Sequence, residues 1–225
     1  SQKFLTNLDE AGRAGRSTSR NLNQLYELTV DYAGQWGAHS LTAVAGLSYQ
    51  KFFNDGMDMA NQGFATDGYK WYSMGDGDPS KEKLTIGSYT NSNVLAGAFL
   101  RANYNFDDRY LISASVRREG SSRFGANNKW GWFPATSIGW RIKKESFMTD
   151  VDWVSDLKLR FGFGITGNNL GSDLASVELL SNGGKFWYNG EWVNTYKVAA
   201  NANPDLRWEK KYEYNLGIDY AFLEN

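Results

Sequence analysis

The chain of 225 residues has no cysteine, one histidine and three prolines. Without cysteine, disulfides and thiolate metal sites are excluded, although the redox compartment stays open. Any triad or metal site that needs histidine would depend on His39 alone, which lies beside a short turn and far in sequence from acidic clusters. We therefore interpret His39 as a turn or surface residue.

The chain also lacks a charge excess and a long apolar run. Its 25 acidic and 24 basic residues give a net charge of -1, so there is no electrostatic argument for nucleic acid. No segment approaches the roughly 20 apolar residues of a membrane helix, and the mean hydropathy is -0.54. In a β-barrel, however, the hydropathies of the alternating lipid-facing and lumen-facing residues cancel in such an average. No secretory leader pattern precedes the first segments, so we expect a mature piece or a fragment.

What the chain does have is 24 glycines and 35 aromatic residues, a composition typical of many strands with long loops. The most regular segment is Leu206–Phe222, whose two alternating residue sets differ in character. One set is Leu206, Trp208, Tyr212, Tyr214, Leu216, Ile218, Tyr220 and Phe222; the other is Arg207, Glu209, Lys211, Glu213, Asn215 and Asp219. This period of two predicts a strand about three times the ordinary length of roughly 5–6 residues.

Six further segments alternate in the same way, which predicts an all-β chain of about seven strands in series. They are Asn21–Ala33, Leu41–Phe53, Val94–Phe106, Tyr110–Arg118, Trp132–Ile142 and Leu157–Thr166. Most reach the roughly 9–11 residues that a tilted membrane-spanning strand needs.

The links between these segments alternate in length. Short links are expected at Gly34–Gly37 and Asp107–Arg109, one of middling length at Lys143–Ser155, and long ones at Asn54–Ser92, Glu119–Gly131 and Asn168–Asn203. Short turns on one side and long loops on the other are typical of an antiparallel up-and-down barrel of the outer membrane. Aromatic residues near strand ends fit an interfacial girdle on the short-turn side: Tyr32, Tyr49, Tyr104, Phe106, Tyr110, Trp140, Tyr220 and Phe222.

Three patterns that suggest chemistry have simpler interpretations. Gly162–Gly167 matches G-x-G-x-x-G, but its glycines lie inside a predicted strand and no helix signal follows; we expect Gly162 and Gly164 to clear space for close packing or a bend. Glu209 and Glu213 would lie roughly 13 Å apart on one strand, too far for a glycosidase pair, although a pair across strands stays open. Asp76-Gly77-Asp78 lacks EF-hand spacing and is interpreted as a polar turn. We therefore predict no catalytic residue, no metal site and no cofactor.

Candidate contact residues divide into three groups. On Leu206–Phe222 we predict that Arg207, Glu209, Lys211 and Glu213 face a lumen and that Tyr212, Tyr214, Leu216 and Ile218 face lipid. In the long loops, Trp71, Tyr72, Trp187, Tyr188 and Trp192 are candidates for contact with a sugar, a peptide or a partner protein. Packing of loop on loop is the simpler alternative for these aromatic residues.

Several motifs, in order along the chain, resemble the SusC/RagA group of TonB-dependent outer-membrane transporters. They are Tyr110–Gly125, Trp132–Ala135, Ser137–Arg141, Leu157–Gly162, Thr166–Asn168 and Asn203–Glu209. The resemblance covers roughly Leu22–Phe222. It implies that residues 1–225 form part of the C-terminal 22-stranded β-barrel domain of a longer chain that also has a plug domain.

The resemblance further implies an outer-membrane location in a Gram-negative bacterium. It implies import of an oligosaccharide, glycan or peptide with energy relayed by TonB, and a SusD-like surface lipoprotein over the extracellular mouth. It implies no enzymatic activity. Two other interpretations stay open from the residues themselves, namely a soluble all-β carbohydrate-binding domain that uses the loop aromatics, and a passive structural barrel.

Overall fold

The computed structural model describes residues 12–66, 68, 72–78, 80, 84–169 and 173–222. The chain divides into two units, Ser1–Gln24 with Phe52–Ser92, and Leu25–Lys51 with Asn93–Asn225. Each unit is described by itself below.

The described residues form nine strands and no α-helix. The strands are β1 (Arg13–Trp36), β2 (His39–Gln62), β3 (Thr85–Phe106), β4 (Tyr110–Ser121), β5 (Trp130–Arg141), β6 (Val154–Asn168), β7 (Leu179–Tyr188), β8 (Glu191–Ala200) and β9 (Glu209–Phe222). Seven of them form one sheet in the order β1-β2-β3-β4-β5-β6-β9, and β7 pairs only with β8. The prediction of an all-β chain with seven main strands is confirmed.

In the second unit the strands from β3 onward pair antiparallel in a continuous register. Phe106 lies opposite Tyr110 at the start of the β3–β4 pair, and Tyr110 lies opposite Trp140 in the next pair. β6 pairs with β9 along almost its whole length, from Val154 opposite Phe222 to Asn168 opposite Glu209. Each main strand is therefore paired with its neighbour in sequence, except that β9 follows β6 because the β7–β8 hairpin forms a separate sheet.

The ends of the strands fall on two edges. In the second unit, we call the edge with links 37–38, 107–109 and 142–153 the turn edge, and the edge with links 122–129 and 169–208 the loop edge. At the turn edge, Gly37 has φ +58°, and Asp107 and Asp108 each have φ +53°, the left-handed geometry that tight hairpins require. Along the chain each turn-edge link is shorter than the loop that follows it. The predicted division into short turn-edge links and long loop-edge links is not strict, however. Because β4 and β5 extend further than expected, the loop-edge link 122–129 is shorter than the turn-edge link 142–153.

The predicted loop Asn168–Asn203 contains a hairpin that the alternation analysis missed. β7 and β8 pair antiparallel around Asn189-Gly190, where φ is +49° at Asn189 and +88° at Gly190. Asn-Gly between two aromatic segments is a strong hairpin signal, because both residues tolerate positive φ. The prediction of an irregular loop was wrong here.

The first unit contains the beginning of β1, the end of β2, the beginning of β3 and the turn near Asp76. Asn61 is buried and donates from Nδ2 to the Met74 carbonyl at 3.0 Å, and the Asp78 amide donates to the Gln62 carbonyl at 2.8 Å. The Ser80 amide donates to Asp78 Oδ1 at 2.9 Å. The segment Asp76-Gly77-Asp78 thus forms a polar turn held against the end of β2.

Candidate functional site

The seven-stranded sheet has one apolar face and one polar face in the second unit. On the apolar face the register places large side chains in rows that cross the strands, and one such row contains Tyr104, Ile112, Ile138, Phe161 and Leu216. Within that row Ile112 is 42% exposed, Ile138 50% and Leu216 72%. A contiguous exposed apolar surface of this kind is unusual on a protein surrounded by water.

The opposite face carries short polar side chains in the neighbouring rows. Asn103, Ser113, Ser137, Gly162 and Asn215 lie opposite one another across five strands. Ser113 Oγ donates to Asn103 Oδ1 at 2.8 Å, and Asn103 Nδ2 donates to Thr42 Oγ1 at 3.3 Å. These residues line a groove together with Lys158 and Arg160, and apolar side chains such as Leu111 and Phe161 also line it. The groove therefore offers both hydrogen-bonding groups and apolar contacts.

Charged residues on the polar face neutralise one another. Arg160 lies 2.7 Å from the Asp219 carboxylate, and Lys158 lies 4.0 Å from the same residue. Arg117 contacts Glu119 at 2.9 Å. The result is a mixed-charge surface in which these three basic side chains outnumber the two acidic ones by one.

The predicted division of β9 into two residue sets agrees with the observed register. Tyr212, Tyr214, Leu216 and Ile218 are 57%, 72%, 72% and 66% exposed, and they lie opposite the apolar residues Ile165, Phe163, Phe161 and Leu159. On the other side, Lys211 forms an ion pair with Glu213, and Asn168 Nδ2 donates to Glu209 at 3.4 Å. Arg207 lies ahead of β9 and is exposed. Which surroundings the two faces meet stays a prediction.

Trp208 does not continue the apolar set of β9 as its parity suggested. The strand begins at Glu209, and Trp208 is 7% exposed in a cluster with Phe124 and Phe133. Its Nε1 donates to the Lys129 carbonyl at 3.0 Å, and its ring lies 5.3 Å from that of Phe133. Phe133 belongs to the polar-face set of β5, and Ile165, which lies opposite Tyr212, also packs against this cluster.

Among the described residues nothing packs tightly against Gly162 or Gly164, and their expected role in clearing space for close packing or a bend stays a prediction. A Cβ on Gly162 would meet its nearest neighbours at 3.9 Å, and one on Gly164 would meet Ala135 Cβ at 3.5 Å, both ordinary contacts. The glycine of this motif that does make room is Gly167, which lies against the Phe133 ring. Among the described residues that follow β6 there is a hairpin and no helix, so the dinucleotide interpretation has no structural support.

Polar contacts join distant loop segments at the loop edge. Arg123 Nε lies 2.6 Å from Asp173 Oδ1, with both side chains mostly covered, and the same oxygen accepts a 2.9 Å hydrogen bond from Asn93. Asn127 Nδ2 donates to Asp205 Oδ1 at 3.3 Å, and the Gly125 amide donates to the Leu206 carbonyl. Two of the motifs that carry the family resemblance, Tyr110–Gly125 and Asn203–Glu209, thus meet in one place.

The β7–β8 hairpin carries most of the predicted loop aromatics. Trp187 and Trp192 lie opposite each other with ring centroids 5.3 Å apart and planes at 66°. They are 54% and 64% exposed, and Tyr188 is 66% exposed. Tyr72 belongs to the first unit, where its hydroxyl donates to the Gly68 carbonyl at 2.9 Å. Trp71 lies outside the described residues.

At the turn edge, the Glu145 carboxylate accepts hydrogen bonds from three side chains. It accepts from the Tyr110 hydroxyl at 2.6 Å, from Trp140 Nε1 at 2.9 Å and from Arg109 Nη1 at 3.2 Å. The hydrogen bond from Tyr110, followed by those from Trp140 and Arg109, lowers the pKa of Glu145 from its ordinary value of 4.5. Nearby, the contact with Lys144 lowers the pKa of Asp108. The link 142–153 is thereby tied to the ends of β4 and β5.

The turn-edge aromatics are clustered as predicted, with one exception. His39 Nδ1 lies 2.7 Å from the Tyr104 hydroxyl, and its ring is 4.8 Å from Phe106, which in turn stacks with Tyr110. His39 is therefore a turn-edge residue, as expected. Tyr49 is the exception: it lies well inside β2 and contacts Tyr26, so it does not belong to a girdle at the turn edge.

No chemistry of bond breaking is indicated by the described part of the chain. Across those residues no group of three or more His, Cys, Asp or Glu side chains could hold a metal ion. No helix in the described ranges is long and apolar enough to cross a membrane.

Sequence reasoning missed two features of this site. The cluster of Phe124, Phe133 and Trp208 joins residues that are far apart in sequence, and no local pattern indicates that they meet. The β7–β8 hairpin could have been found from Asn189-Gly190, which we did not use.

Known proteins match this chain over most of its length. The family model described as TonB dependent receptor-like, beta-barrel, matches residues 2–225. TonB-dependent receptor SusC of Bacteroides thetaiotaomicron is 34% identical over 94% of this chain and 21% of its own length. TonB-dependent receptor P39 of Formosa agariphila is 36% identical over 83% of this chain and 17% of its own length.

Solved structures agree with these sequence relatives. The RagAB peptide transporter superposes with a TM-score of 0.80 at 26% identity, over 92% of this chain and 22% of the matched chain. The RagAB peptide importer in its "open-open" state gives a TM-score of 0.81, also at 26% identity and with the same coverage. The chain thus spans about a fifth of the length of the proteins it matches.

Proposed function

The chain belongs to the TonB dependent receptor-like β-barrel family, and we propose that it forms part of the wall of an outer-membrane transporter that imports oligosaccharides, glycans or peptides. In this proposal residues 1–225 lie within the barrel domain of a longer chain of the SusC/RagA type. The transporter is located in the outer membrane of a Gram-negative bacterium, receives energy through TonB and makes or breaks no covalent bond. The observation that carries the proposal is the continuous two-faced sheet.

The apolar face supports the membrane location. Its rows of exposed aromatic and aliphatic side chains continue across β3, β4, β5, β6 and β9 without an acidic residue at the registered positions. In water such a surface would drive aggregation, whereas in a bilayer it is the solvated surface. The soluble carbohydrate-binding alternative is disfavoured for this reason.

The polar face supports a role as the inner wall. Side chains such as Ser113, Ser137 and Asn215 present hydrogen-bonding groups, and the ion pairs of Arg160 and Arg117 leave little unbalanced charge. A wall of this character can slide past a plug domain or a polar solute without binding either tightly, because water competes for each contact. We assign Arg207, Glu209, Lys211 and Glu213 to the same lining.

The aromatic hairpin supports contact at the extracellular mouth. A two-stranded hairpin alone is at best marginally stable in water, and Trp187, Tyr188 and Trp192 expose more than half of their surface. Exposed tryptophan and tyrosine are the residues most enriched where sugars, peptides or protein partners dock. We propose that these residues, with Trp71 and Tyr72 from the other long loop, contact the substrate or a SusD-like lipoprotein lid.

The test uses the full-length transporter in its own outer membrane. In a strain without the native gene, uptake of a labelled oligosaccharide mixture and a labelled peptide mixture is compared between the wild type and the variant Trp187→Ala/Tyr188→Ala/Trp192→Ala. We expect uptake of one mixture in the wild type, abolished by TonB deletion, and at least a tenfold loss in the variant, since two or three hot-spot contacts are removed. Heat-modifiable migration on gels checks that the barrel still assembles.

A matched control variant tests whether the loss of uptake is specific to the hairpin aromatics or follows from removing any exposed aromatic side chains. Phe147 and Trp153 are 64% and 63% exposed in the turn-edge link, and Phe147→Ala/Trp153→Ala should leave uptake unchanged. Uptake that does not depend on TonB would point instead to a passive barrel. Equal loss in both variants would remove the assigned role of the hairpin.

A further inference from the structure

The apolar face carries a few charged side chains, and all of them are cations. Among the described strand positions of the second unit, the alternation places Lys51, Arg118 and Lys210 on this face, and each is exposed. All three lie toward the loop edge, since Arg118 is close to the end of β4 and Lys210 is the second residue of β9. The turn-edge half of the same face has no charged residue at the described strand positions.

Arg118 is held between two indole rings. The register places it opposite Trp132, and the adjoining Gly120 opposite Trp130. The guanidinium carbon lies 4.9 Å from the centroid of Trp130 and 5.4 Å from that of Trp132. Stacking on aromatic rings orients a guanidinium while leaving its N–H edges free to donate.

The contrast with the neighbouring residue is informative. Arg117, on the polar face, makes two hydrogen bonds to Glu119, and Arg160 on that face pairs with Asp219. Arg118 has no carboxylate within ion-pair distance in the described part of the chain. Arg118 is oriented by the two rings but has no anionic partner at the described positions of this face. Its N–H groups are therefore available to form charge-assisted hydrogen bonds with a ligand.

The position of Arg118 matches the headgroup level of a bilayer. Tyr110 and Arg118 are eight residues apart on β4, roughly 27 Å at about 3.4 Å per residue. With a barrel tilt of about 35–45°, this corresponds to roughly 20 Å of height, close to the ~25 Å apolar band of such barrels. With Tyr110 at the turn-edge boundary, Arg118 and its two tryptophans lie at the opposite boundary, where indoles and basic residues meet lipid headgroups.

We propose that Arg118, framed by Trp130 and Trp132, forms a binding site for the phosphate group of a lipid in the extracellular leaflet. The planar guanidinium can donate two parallel hydrogen bonds to two oxygen atoms of the phosphate. The indole rings cover the junction between the lipid headgroup and its acyl chains. The inference rests on the membrane placement in the proposed function.

The experiment measures lipid preference beside Arg118 in the full-length transporter, reconstituted in nanodiscs. Ala98 lies directly opposite Arg118 on β3, and Ala98→Cys, in a background with no other cysteine, carries a fluorophore. Two lipids with a nitroxide on an acyl chain are titrated, one with a phosphomonoester headgroup and one with a hydroxyl headgroup but identical chains. The ratio of their quenching constants is the preference for phosphate.

We expect a clear preference in the wild type that falls about fivefold in Arg118→Gln, the change expected for one interfacial cation. Arg118→Lys should retain part of the preference, because the charge remains but the planar guanidinium stacked on the indoles is lost. Arg101→Gln removes the same charge from the polar face of β3 and should leave the preference unchanged. Should Arg118→Gln fail to assemble, Arg118→Lys still tests the site.

The outcomes separate this inference from the proposed function. If neither lipid quenches the fluorophore, the membrane placement of this face is wrong and both proposals fail. If both lipids quench equally in the wild type, or if Arg101→Gln reduces the preference as much as Arg118→Gln, the face meets lipid but the phosphate site is overturned.

Discussion

Aromatic and arginine side chains differ in burial and in pairing between the two faces of the main sheet. On the apolar face, aromatic side chains such as Tyr214 are exposed and Arg118 has no carboxylate partner among the described residues. On the polar face, the aromatic side chain of Phe133 is buried and Arg117 is paired with Glu119. In water the second arrangement is expected and the first is unfavourable. This difference is the physical basis of our proposal that the two faces meet different solvents in a transporter wall.

The largest effect is expected from the buried aromatics at the loop edge. Phe124 is 2% exposed against Phe133 and Trp208, so Phe124→Ala should lower the free energy of unfolding of the intact barrel by about 3–5 kcal/mol. Phe147→Ala, at a position 64% exposed, should change it by less than about 0.5 kcal/mol. Urea titrations of barrels folded into lipid vesicles measure both. Equal, small changes would mean that this cluster is not a core.

The next effect compares adjacent residues on opposite faces of β9. Tyr214→Arg places a charge on the apolar face near mid-strand and should destabilise the barrel by about 2–4 kcal/mol, whereas Asn215→Arg on the polar face should cost far less. The same vesicle titrations provide the measurement. Similar losses at the two positions would overturn the assignment of faces.

The smallest effect tests the turn edge, where Glu145 joins aromatic residues to the link 142–153. Because the pKa of Glu145 is lowered in the folded state, its contribution to stability is fully present above the ordinary value of 4.5 and is lost as the pH falls through the folded-state pKa. The stability difference between the wild type and Glu145→Gln should therefore shrink below pH 4.5 and be constant above it. A difference that grows on acidification would contradict the observed hydrogen bonds.

Alternation of residues along a strand is local, and the parts of the fold that depend on it could be predicted. The two sets of β9 follow from a period of two, as do the seven main strands, because each strand meets different surroundings on its two sides. The prediction failed where the strand ends: Trp208 has the parity of Tyr212, but it precedes β9 and is buried in the cluster with Phe124 and Phe133. The space beside Gly162 and Gly164 depends on what lies on the neighbouring strands, so the alternation of a single strand does not determine it.

Contacts between distant segments could not be predicted from local patterns. Arg123 meets Asp173 and Asn127 meets Asp205 across loops whose path depends on the whole sheet. The site of Arg118 has a similar origin, since Trp130 and Trp132 reach it only through the β4–β5 register.

The most direct test of the central claim is a cysteine scan along β9 of the full-length transporter in outer-membrane vesicles. Single cysteines at positions 211 to 218 are labelled with a fluorophore and quenched either by nitroxide lipids or by a water-soluble nitroxide. We predict a period of two, with lipid quenching at 212, 214, 216 and 218 and aqueous quenching at 211, 213, 215 and 217. Aqueous quenching at all eight positions, or lipid quenching without alternation, would contradict the two-solvent account of this sheet.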